Sequence, residues 1–279
     1  MTRIALLQAQ TGIDPTRNAA DLARAVRQAS AGGAAMLFTP EMSGLLDRDR
    51  ERAARHWRST DEDPVLAAVR EAAAREGIWI HLGSLAVLGG SEGRLVNRSF
   101  VIDAAGALRA SYDKLHLFDV DLPTGESWRE SASYAPGAGA VVVEGTPVGR
   151  LGLTICYDLR FPALFAALAE AGADTIAVPA AFTVPTGQAH WQVLLRARAI
   201  EAGLFVVAAA QAGRHEDGRE TYGHSLVADP WGELRLEMDG APGLGFAELD
   251  LSRIAEVRSR VPALLHRRPV PPVERVPAR

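Results

Sequence analysis

Several features that would assign this chain to a class are scarce or missing. Cysteine occurs once in 279 residues, so no internal disulfide can form and an oxidising compartment is not required. No uninterrupted apolar stretch approaches the roughly 20 residues that span a bilayer, and the apolar run within Met1–Leu7 is too short for a secretory signal. A net charge of −4 and a pI near 6.0 give no electrostatic reason to bind nucleic acid or an anionic membrane. We therefore expect a soluble cytoplasmic protein with no nucleic-acid or membrane partner.

The sequence also has no internal repeat, low-complexity tract or Pro/Gly/Ser linker. Its 48% hydrophobic and 23% charged residues are typical of a globular protein, and a chain of this length can bury roughly three quarters of its unfolded surface. We predict a single domain over residues 1–279. The proline-rich tail over residues 267–279 cannot be helical throughout, and we expect it to be extended.

Predicted strands and helices alternate along the chain. Asp14-Pro15, for example, supplies an N-cap and a first-turn proline for a helix that should end before Gly32-Gly33. Near-continuous apolar runs such as Leu204–Ala208 indicate strands buried on both faces, so helices must cover a central pair of sheets. The pattern predicts a layered α/β fold. Its strands are expected at residues 3–8, 35–39, 78–88, 99–103, 108–115, 140–144, 149–156, 175–179, 204–211, 225–228, 232–237 and 245–251, and its helices at residues 15–30, 49–57, 64–75, 161–171, 187–202 and 252–266.

Three of the predicted strands end on chemically useful side chains: Glu41, Lys114 and Cys156. Catalytic groups in α/β proteins gather at the carboxyl ends of strands. A carboxylate that takes the thiol proton, a thiolate that attacks a carbonyl and an ammonium that stabilises the oxyanion would form an acyl-transfer site. Each residue alone has a plainer explanation, since a lone cysteine is often a core residue, a lysine a solvated charge, and a glutamate after proline a turn residue.

The residues around these three side chains carry a family resemblance. The segments Phe38–Glu41 (FTPE), Tyr112–Asp119 (YDKLHLFD) and Leu153–Pro162 (LTICYDLRFP) resemble the three signature blocks of the nitrilase superfamily, the carbon–nitrogen hydrolases, in the family's order. The resemblance extends from about residue 3 to residue 256, which would be the core of the domain. It implies a single-domain, four-layer α-β-β-α sandwich with a Glu-Lys-Cys triad and with no metal or organic cofactor.

The resemblance also implies roles for the site residues. Cys156 would be the nucleophile and Glu41 the general base, while Lys114 and the backbone N–H of Tyr157 would stabilise the oxyanion. Glu130 matches the family's second glutamate, and it would hold Lys114 and orient the substrate amide. The implied reaction expels ammonia from a carboxamide, leaves a thioester on the cysteine, and releases the acid by hydrolysis.

The later part of the chain resembles the deaminated glutathione amidase and omega-amidase branches, which hydrolyse the terminal amide of small 2-oxo acid derivatives. The matching segments are residues 181–191, 194–201, 222–225 and 229–232. Deaminated glutathione is the favoured substrate, and α-ketoglutaramate is the alternative. By this resemblance Arg160 would pair with a substrate carboxylate, while Phe182 and Thr186 would line the pocket. Arg160 could instead cap the following helix or pair with Asp158.

Three further expectations concern the surroundings of the site. The loop over residues 42–50 departs from the pattern of many relatives, so it leaves the specificity open, and we expect the charge run 47–52 to be a solvated helix face with i,i+4 pairs. The resemblance implies a homodimer or higher homo-oligomer, with the helix after Cys156 and the helix 252–266 at its interface. Two other classes stay open: an N-acyltransferase of the same superfamily, and a catalytically idle scaffold that binds a ligand or a partner protein.

Overall fold

Two β-sheets lie face to face at the centre of the molecule, as a computed structural model of the chain shows. The structure describes residues 1–121, 125 and 127–277, except for the side chain of residue 92. The strands are β1 (Thr2–Gln8), β2 (Met36–Phe38), β3 (Trp79–Leu88), β4 (Leu95–Ile102), β5 (Leu108–Asp113), β6 (Asp119–Asp121), β7 (Ser127–Arg129), β8 (Val142–Thr146), β9 (Gly149–Leu153), β10 (Thr175–Ala177), β11 (Phe205–Ala208), β12 (Ala212–Arg214), β13 (Glu220–Tyr222), β14 (Leu226–Ala228), β15 (Leu234–Glu237) and β16 (Gly243–Leu249). The helices are α1 (Pro15–Ala31), α2 (Arg50–Ala54), α3 (Pro64–Glu76), α4 (Pro162–Glu170), α5 (Val184–Ala202) and α6 (Ser252–Arg260).

Within the described residues, each central sheet has six strands. The first has the order β16-β1-β2-β3-β4-β5, and the second has the order β15-β14-β11-β10-β9-β8. Strands β1, β2 and β3 are parallel, and two antiparallel steps through β4 give β5 the same direction. In the second sheet β9, β10 and β11 are parallel. The carboxyl ends of β2 and β5 therefore lie at the same edge of the first sheet.

The two-residue period of the strands separates an inner core from an outer one. Ile4 and Leu6 pack in the cluster between the sheets, whereas Ala5 packs beneath the helices that cover the first sheet. Met36 and Leu37 divide in the same way. Helices α1 and α3 cover the first sheet, and buried residues of α4 and α5 pack onto the second. The predicted α-β-β-α sandwich is thus confirmed.

Local sequence signals explain where the helices begin. The Asp14 side chain accepts a hydrogen bond from the backbone N–H of Thr16, and Pro15 occupies the first turn of α1. The first turn of α5 likewise contains Pro185, which places its start at Val184, three residues before the predicted Gly187.

Several predicted boundaries were wrong. Helix α6 ends at Arg260, six residues before the predicted end, because the residue that precedes Pro262 is disfavoured in helical conformation. Helix α2 covers only residues 50–54 of the predicted 49–57, and β4 begins four residues early, at Leu95. The hairpins β6–β7 and β12–β13 were not predicted. In the described residues no helix combines the length and the apolarity that crossing a membrane requires.

Candidate active site

A cavity of about 270 Å³ opens beside the carboxyl ends of β2, β5 and β9. Glu41, Lys114, Glu130 and Cys156 all line it, so the structure brings together the four side chains that the sequence singled out. Glu41 follows β2 by three residues, Lys114 follows β5 directly, and Cys156 follows β9 by three residues. The edge of each sheet thus supplies part of the same wall.

Glu41 is held by donors on both carboxylate oxygens. Its Oε1 accepts hydrogen bonds from Lys114 Nζ at 3.0 Å and from Asn97 Nδ2 at 2.8 Å, and its Oε2 accepts one from the backbone N–H of Ala181 at 2.9 Å. Burial alone raises the pKa of Glu41. The Lys114 charge and the hydrogen bonds from Cys156, Lys114 and Asn97 outweigh that effect, so the pKa of Glu41 is lowered. Glu41 therefore rests as a carboxylate beside the thiol.

Lys114 lies between the two glutamates. Its Nζ is 3.0 Å from Glu41 Oε1 and 2.9 Å from Glu130 Oε2. Burial lowers the pKa of Lys114, but the charges of Glu130 and Glu41 raise it by more than burial lowers it. The pKa of Lys114 therefore lies well above the ordinary value. The lysine is therefore an ammonium throughout the working pH range, and it carries the positive charge that could meet an oxyanion.

Cys156 occupies a sharp turn between β9 and a 3-10 helix over Cys156–Arg160. Its φ of 49° lies in the left-handed region, which residues other than glycine adopt rarely and which occurs often at functional sites. Burial, the Glu41 charge and the hydrogen bond to Glu41 raise the pKa of the Cys156 thiol well above the ordinary value, against the lowering effect of Lys114. Cys156 is thus a neutral thiol at rest, and a thiol in this state would need a base to act as a nucleophile.

Glu130 begins a short 3-10 helix, Glu130–Ala132, that follows β7. Its Oε2 accepts a hydrogen bond from the backbone N–H of Phe118 at 2.6 Å, and both its oxygens contact Lys114 Nζ, at 2.9 and 3.1 Å. These contacts give the ammonium a second carboxylate partner besides Glu41. With the thiol neutral, two carboxylates and one ammonium give the inner end of the cavity a net charge of −1.

Asn97 belongs to this site and was missed in the sequence. Its Nδ2 donates to Glu41 Oε1 at 2.8 Å and to Glu130 Oε1 at 3.2 Å, so the one amide connects both carboxylates. The available signal was an asparagine inside a strand that begins and ends on apolar residues, because a polar side chain buried there needs a partner.

Asp158 was considered only as a partner for Arg160, and the structure gives it another role. Its carboxylate accepts hydrogen bonds from the Tyr112 hydroxyl at 2.7 Å, from Ile155 N–H at 2.9 Å and from His116 N–H at 3.0 Å. Tyr112 and His116 flank Lys114, and Ile155 precedes Cys156. This fully buried carboxylate therefore ties the lysine segment to the cysteine turn.

The predicted substrate contacts divide into two groups. Tyr157, Phe182 and Thr186 line the cavity, and Tyr157 lies in the first turn of its 3-10 helix, where N–H groups lack intrahelical acceptors. Arg160 is not among the described residues that line the cavity. Its guanidinium lies 3.4 Å from His190 Nδ1 and 5.6 Å from the centre of the ring of Phe182, which itself lines the cavity.

The charge run over residues 47–52 is exposed at residues 48–51, as predicted, but only residues 50–52 of it are helical and part of the run contributes to the cavity. Arg48 and Arg50 line the cavity. Asp47 precedes α2 and pairs with Arg52 across five residues at 2.6 Å, in place of the expected i,i+4 contacts. The run bends into the rim because α2 starts only at Arg50.

No group of three or more His, Cys, Asp or Glu side chains in the described part of the chain is arranged to hold a metal ion. The chemistry available to the described residues is that of a thiol, a carboxylate base and an ammonium. This set suits acyl transfer through a covalent cysteine intermediate.

Comparison with known proteins identifies the family. The sequence model of the family described as carbon-nitrogen hydrolase matches residues 3–259. The deaminated glutathione amidase of Yersinia enterocolitica is 40% identical over 267 residues, which cover 95% of this chain and 92% of that protein. The crystal structure of the Caenorhabditis elegans NitFhit protein superposes on this chain with a TM-score of 0.86 and 37% sequence identity. The match covers 96% of this chain and 65% of that one.

A third similar protein is the amidase from Nesterenkonia sp. AN1. One solved structure of a Glu-to-Gln variant of that amidase contains acrylamide added to the active-site cysteine. It is 28% identical to this chain, with a TM-score of 0.77, and the match covers 94% of this chain and 98% of that one. The chain described here belongs to the carbon–nitrogen hydrolase family, and it is an amidase that acts on carbon–nitrogen bonds other than peptide bonds.

Proposed function

We propose that this protein hydrolyses the amide of deaminated glutathione, or of a closely related 2-oxo acid derivative, through a thioester on Cys156. The observation that carries the proposal is the contact of Glu41 with both Lys114 and Cys156 at the closed end of a cavity. The naming of the Yersinia enterocolitica relative, at 40% identity, supports the choice of substrate.

The first step transfers the Cys156 thiol proton to Glu41 as Sγ attacks the amide carbon. The oxyanion that forms would be stabilised by Lys114 and by the backbone N–H of Tyr157. One donor of this kind contributes about 3–4 kcal/mol to the transition state. Glu41 then returns the proton to the leaving nitrogen, and the C–N bond breaks to leave the acyl group on sulfur.

In the second step Glu41 takes a proton from water, whose oxygen attacks the thioester carbon. The C–S bond breaks, the free acid leaves and the thiol regains its proton. The leaving group of the first step depends on the substrate. A primary amide such as α-ketoglutaramate gives ammonia, whereas the amide nitrogen of deaminated glutathione belongs to cysteinylglycine, so we expect that dipeptide in place of ammonia.

Product release by the purified protein tests this proposal. Deaminated glutathione and α-ketoglutaramate are offered separately, with release of cysteinylglycine and of ammonia as the respective readouts and Cys156→Ala as the control. Preference for deaminated glutathione, abolished in Cys156→Ala, supports the proposal. Preference for α-ketoglutaramate would make the protein an omega-amidase. Activity that persists in Cys156→Ala would contradict the nucleophile, and a lack of turnover across a wide amide panel would favour an idle scaffold.

The proposal includes one hydrolase domain over residues 1–279, with an extended tail, that forms a homodimer or higher homo-oligomer. Exposed apolar side chains support self-association: Val193 and Ile200 on α5, and Val261 and Leu265 beyond α6. Light scattering coupled to size exclusion tests it. A monomer at micromolar concentration would contradict self-association, and an Ile200→Asp variant that keeps the oligomeric mass of the parent would exclude the exposed face of α5 as the interface.

A further inference from the structure

The rim of the cavity differs in charge from its inner end. Four arginines line the cavity. Apart from Glu41 and Glu130 at the inner end, the carboxylates in its described lining are Asp47 and Glu220. The arginines are Arg48, Arg50, Arg129 and Arg219. Because the inner end carries a net charge of −1, a substrate carboxylate is repelled there and favoured at the rim.

Two of these arginines form a supported pair. The guanidinium carbons of Arg219 and Arg48 lie 5.2 and 5.9 Å from the centre of the Trp128 ring, so both cations stack against one indole. The carboxylate of Asp217, whose side chain is fully buried, accepts from Arg219 Nε at 2.7 Å and from the backbone N–H of Arg48 at 2.9 Å. Trp128 and Asp217 thus hold two cations side by side.

The guanidinium of Arg219 keeps donors available. Asp217 binds its Nε, and no described residue accepts a hydrogen bond from either of its Nη groups. Arg129 differs, because its Nη2 contacts both oxygens of Asp121 at 2.8 Å and its Nη1 donates to two backbone carbonyls. Arg219 therefore presents the two-pronged edge that suits a carboxylate, and Arg129 does not.

The spacing along the wall fits a dipeptide. Ala181, whose backbone N–H donates to Glu41, marks the inner end of this wall. Thr183 lies two residues after Ala181 and forms a β-bridge with Thr221. Arg219 lies two residues beyond Thr221, or about 7 Å further along the extended chain. Two extended residues of a leaving group span about 7 Å as well. A carboxylate at the end of a dipeptide leaving group can therefore reach the rim while the scissile amide lies at the inner end.

We propose that Arg219, assisted by Arg48 on the Trp128 ring, binds a carboxylate on the amine side of the scissile amide. This inference rests on the proposed function, since it assigns the C-terminal carboxylate of a dipeptidyl leaving group to the arginine pair. It makes the pair a specificity determinant that a primary amide substrate does not use.

Binding to the catalytically inactive Cys156→Ala protein tests the pair separately from turnover. Isothermal titration compares deaminated glutathione with its glycinamide form, which lacks the terminal carboxylate. Adding Arg219→Gln should weaken binding of the carboxylate form about 10- to 100-fold and leave the glycinamide form unchanged, since hydrogen bonds to charged groups have this size. Arg129→Gln is the matched control, and it should change neither affinity.

Arg48→Gln is the second variant, because it leaves the Asp217–Arg219 pair intact if Arg219→Gln fails to fold. It should weaken binding of the carboxylate form by a smaller factor and spare the glycinamide form. Equal weakening of both forms, no weakening of either, or no binding of deaminated glutathione to Cys156→Ala overturns the inference. The other possible failure concerns the proposed function. If the Cys156→Ala protein shows the expected binding, but the unmodified protein releases no cysteinylglycine from deaminated glutathione, the proposed function is contradicted and the inference about the arginine pair is not.

Discussion

The inner end of the cavity and its rim are built from different parts of the fold. Glu41, Lys114 and Cys156 follow strands of the two central sheets, and they are 5%, 2% and 7% exposed. At the rim, Arg48 and Arg219 come from loops, and their side chains are 48% and 16% exposed. The sheets therefore fix the reacting groups, whereas segments that can vary without disturbing the sheets set what else the substrate contacts.

The two regions also differ in how their charges are satisfied. At the inner end, Glu41, Glu130, Lys114 and Asn97 form one connected network, so removing one member leaves a buried partner uncompensated. At the rim, the Arg48 side chain is exposed enough for water to replace a lost partner, although the Asp217 carboxylate that binds Arg219 is buried. Changes at the inner end should thus affect rate and folding together, and changes at the rim should affect affinity for particular substrates.

Loss of the base should give the largest effect. Glu41→Gln keeps the shape of the side chain but cannot take the thiol proton, so we expect kcat to fall about 10²- to 10⁴-fold. The measurement is kcat on whichever amide the protein prefers. Glu220→Gln, which removes an exposed carboxylate from the rim, is the control and should leave kcat nearly unchanged. Similar losses in the two variants would abolish the distinction between inner end and rim.

Loss of the buried cation should be the largest effect on stability. Lys114→Met leaves Glu41 and Glu130 facing each other without compensation, and we expect a loss of about 3–5 kcal/mol in the free energy of unfolding. Arg129→Met breaks the exposed pair with Asp121 and should change the free energy of unfolding far less, because solvent screens such a pair. Urea unfolding of both variants measures the contrast. Equal costs would mean that the inner network is no more tightly coupled than a surface pair.

The layered fold, and the set of side chains that meet at the inner end of the cavity, could be predicted from the sequence because their signals are local. Apolar strand runs, the Asp14-Pro15 helix start and the three motif segments each lie within a few consecutive residues. The early end of α6 also has a local cause, since Pro262 disfavours helical conformation at Val261, but the helical pattern continues past it in the sequence.

The supporting contacts could not be predicted, because they join residues far apart in the chain. Asn97 reaches Glu41 across 56 positions, and Ala181 N–H reaches it across 140. The arginine pair forms where the loops after β2 and β12 come into contact. The pattern of apolar residues along the sequence does not indicate which loops contact each other. A charge run such as 47–52 has the same composition whether it faces solvent or a cavity.

A smaller effect should follow from loosening the link between the lysine segment and the cysteine turn. In Asp158 one carboxylate oxygen accepts from Tyr112 and Ile155, and the other accepts from His116. Asp158→Asn replaces one of these oxygens by an NH₂ group that cannot accept a hydrogen bond. The change should therefore cost about 1–3 kcal/mol of stability. We also expect kcat to fall, because Cys156 and Lys114 shift relative to each other. Asp174→Asn is the matched control, since Asp174 pairs with Arg150 away from the cavity. A loss of kcat in both variants alike would contradict a positioning role for Asp158.

The smallest effect should be that of pH on activity. Activity that does not change with pH would support a network at the inner end whose charges stay fixed. The proposed mechanism needs Glu41 ionised, Cys156 as a thiol and Lys114 charged. The Lys114 charge and the hydrogen bonds to Glu41 outweigh its burial and hold its pKa below 4.5, while burial and the Glu41 charge raise the pKa of Cys156 well above 9.0. Since Lys114 has a pKa well above 10.5, the reacting state persists between those limits.

We therefore expect kcat/KM for a neutral amide to be flat from about pH 5 to pH 9, without the bell shape of an acid–base pair that titrates in this range. A lowered folded-state pKa means that Glu41 contributes stability above its unfolded value, and this contribution is lost as pH falls through the folded pKa. Thermal unfolding at each pH separates that loss from titration of the site. A limb with its midpoint inside this range, in protein that stays folded, would assign the proton transfer to another group, and Glu41 would then no longer be the base.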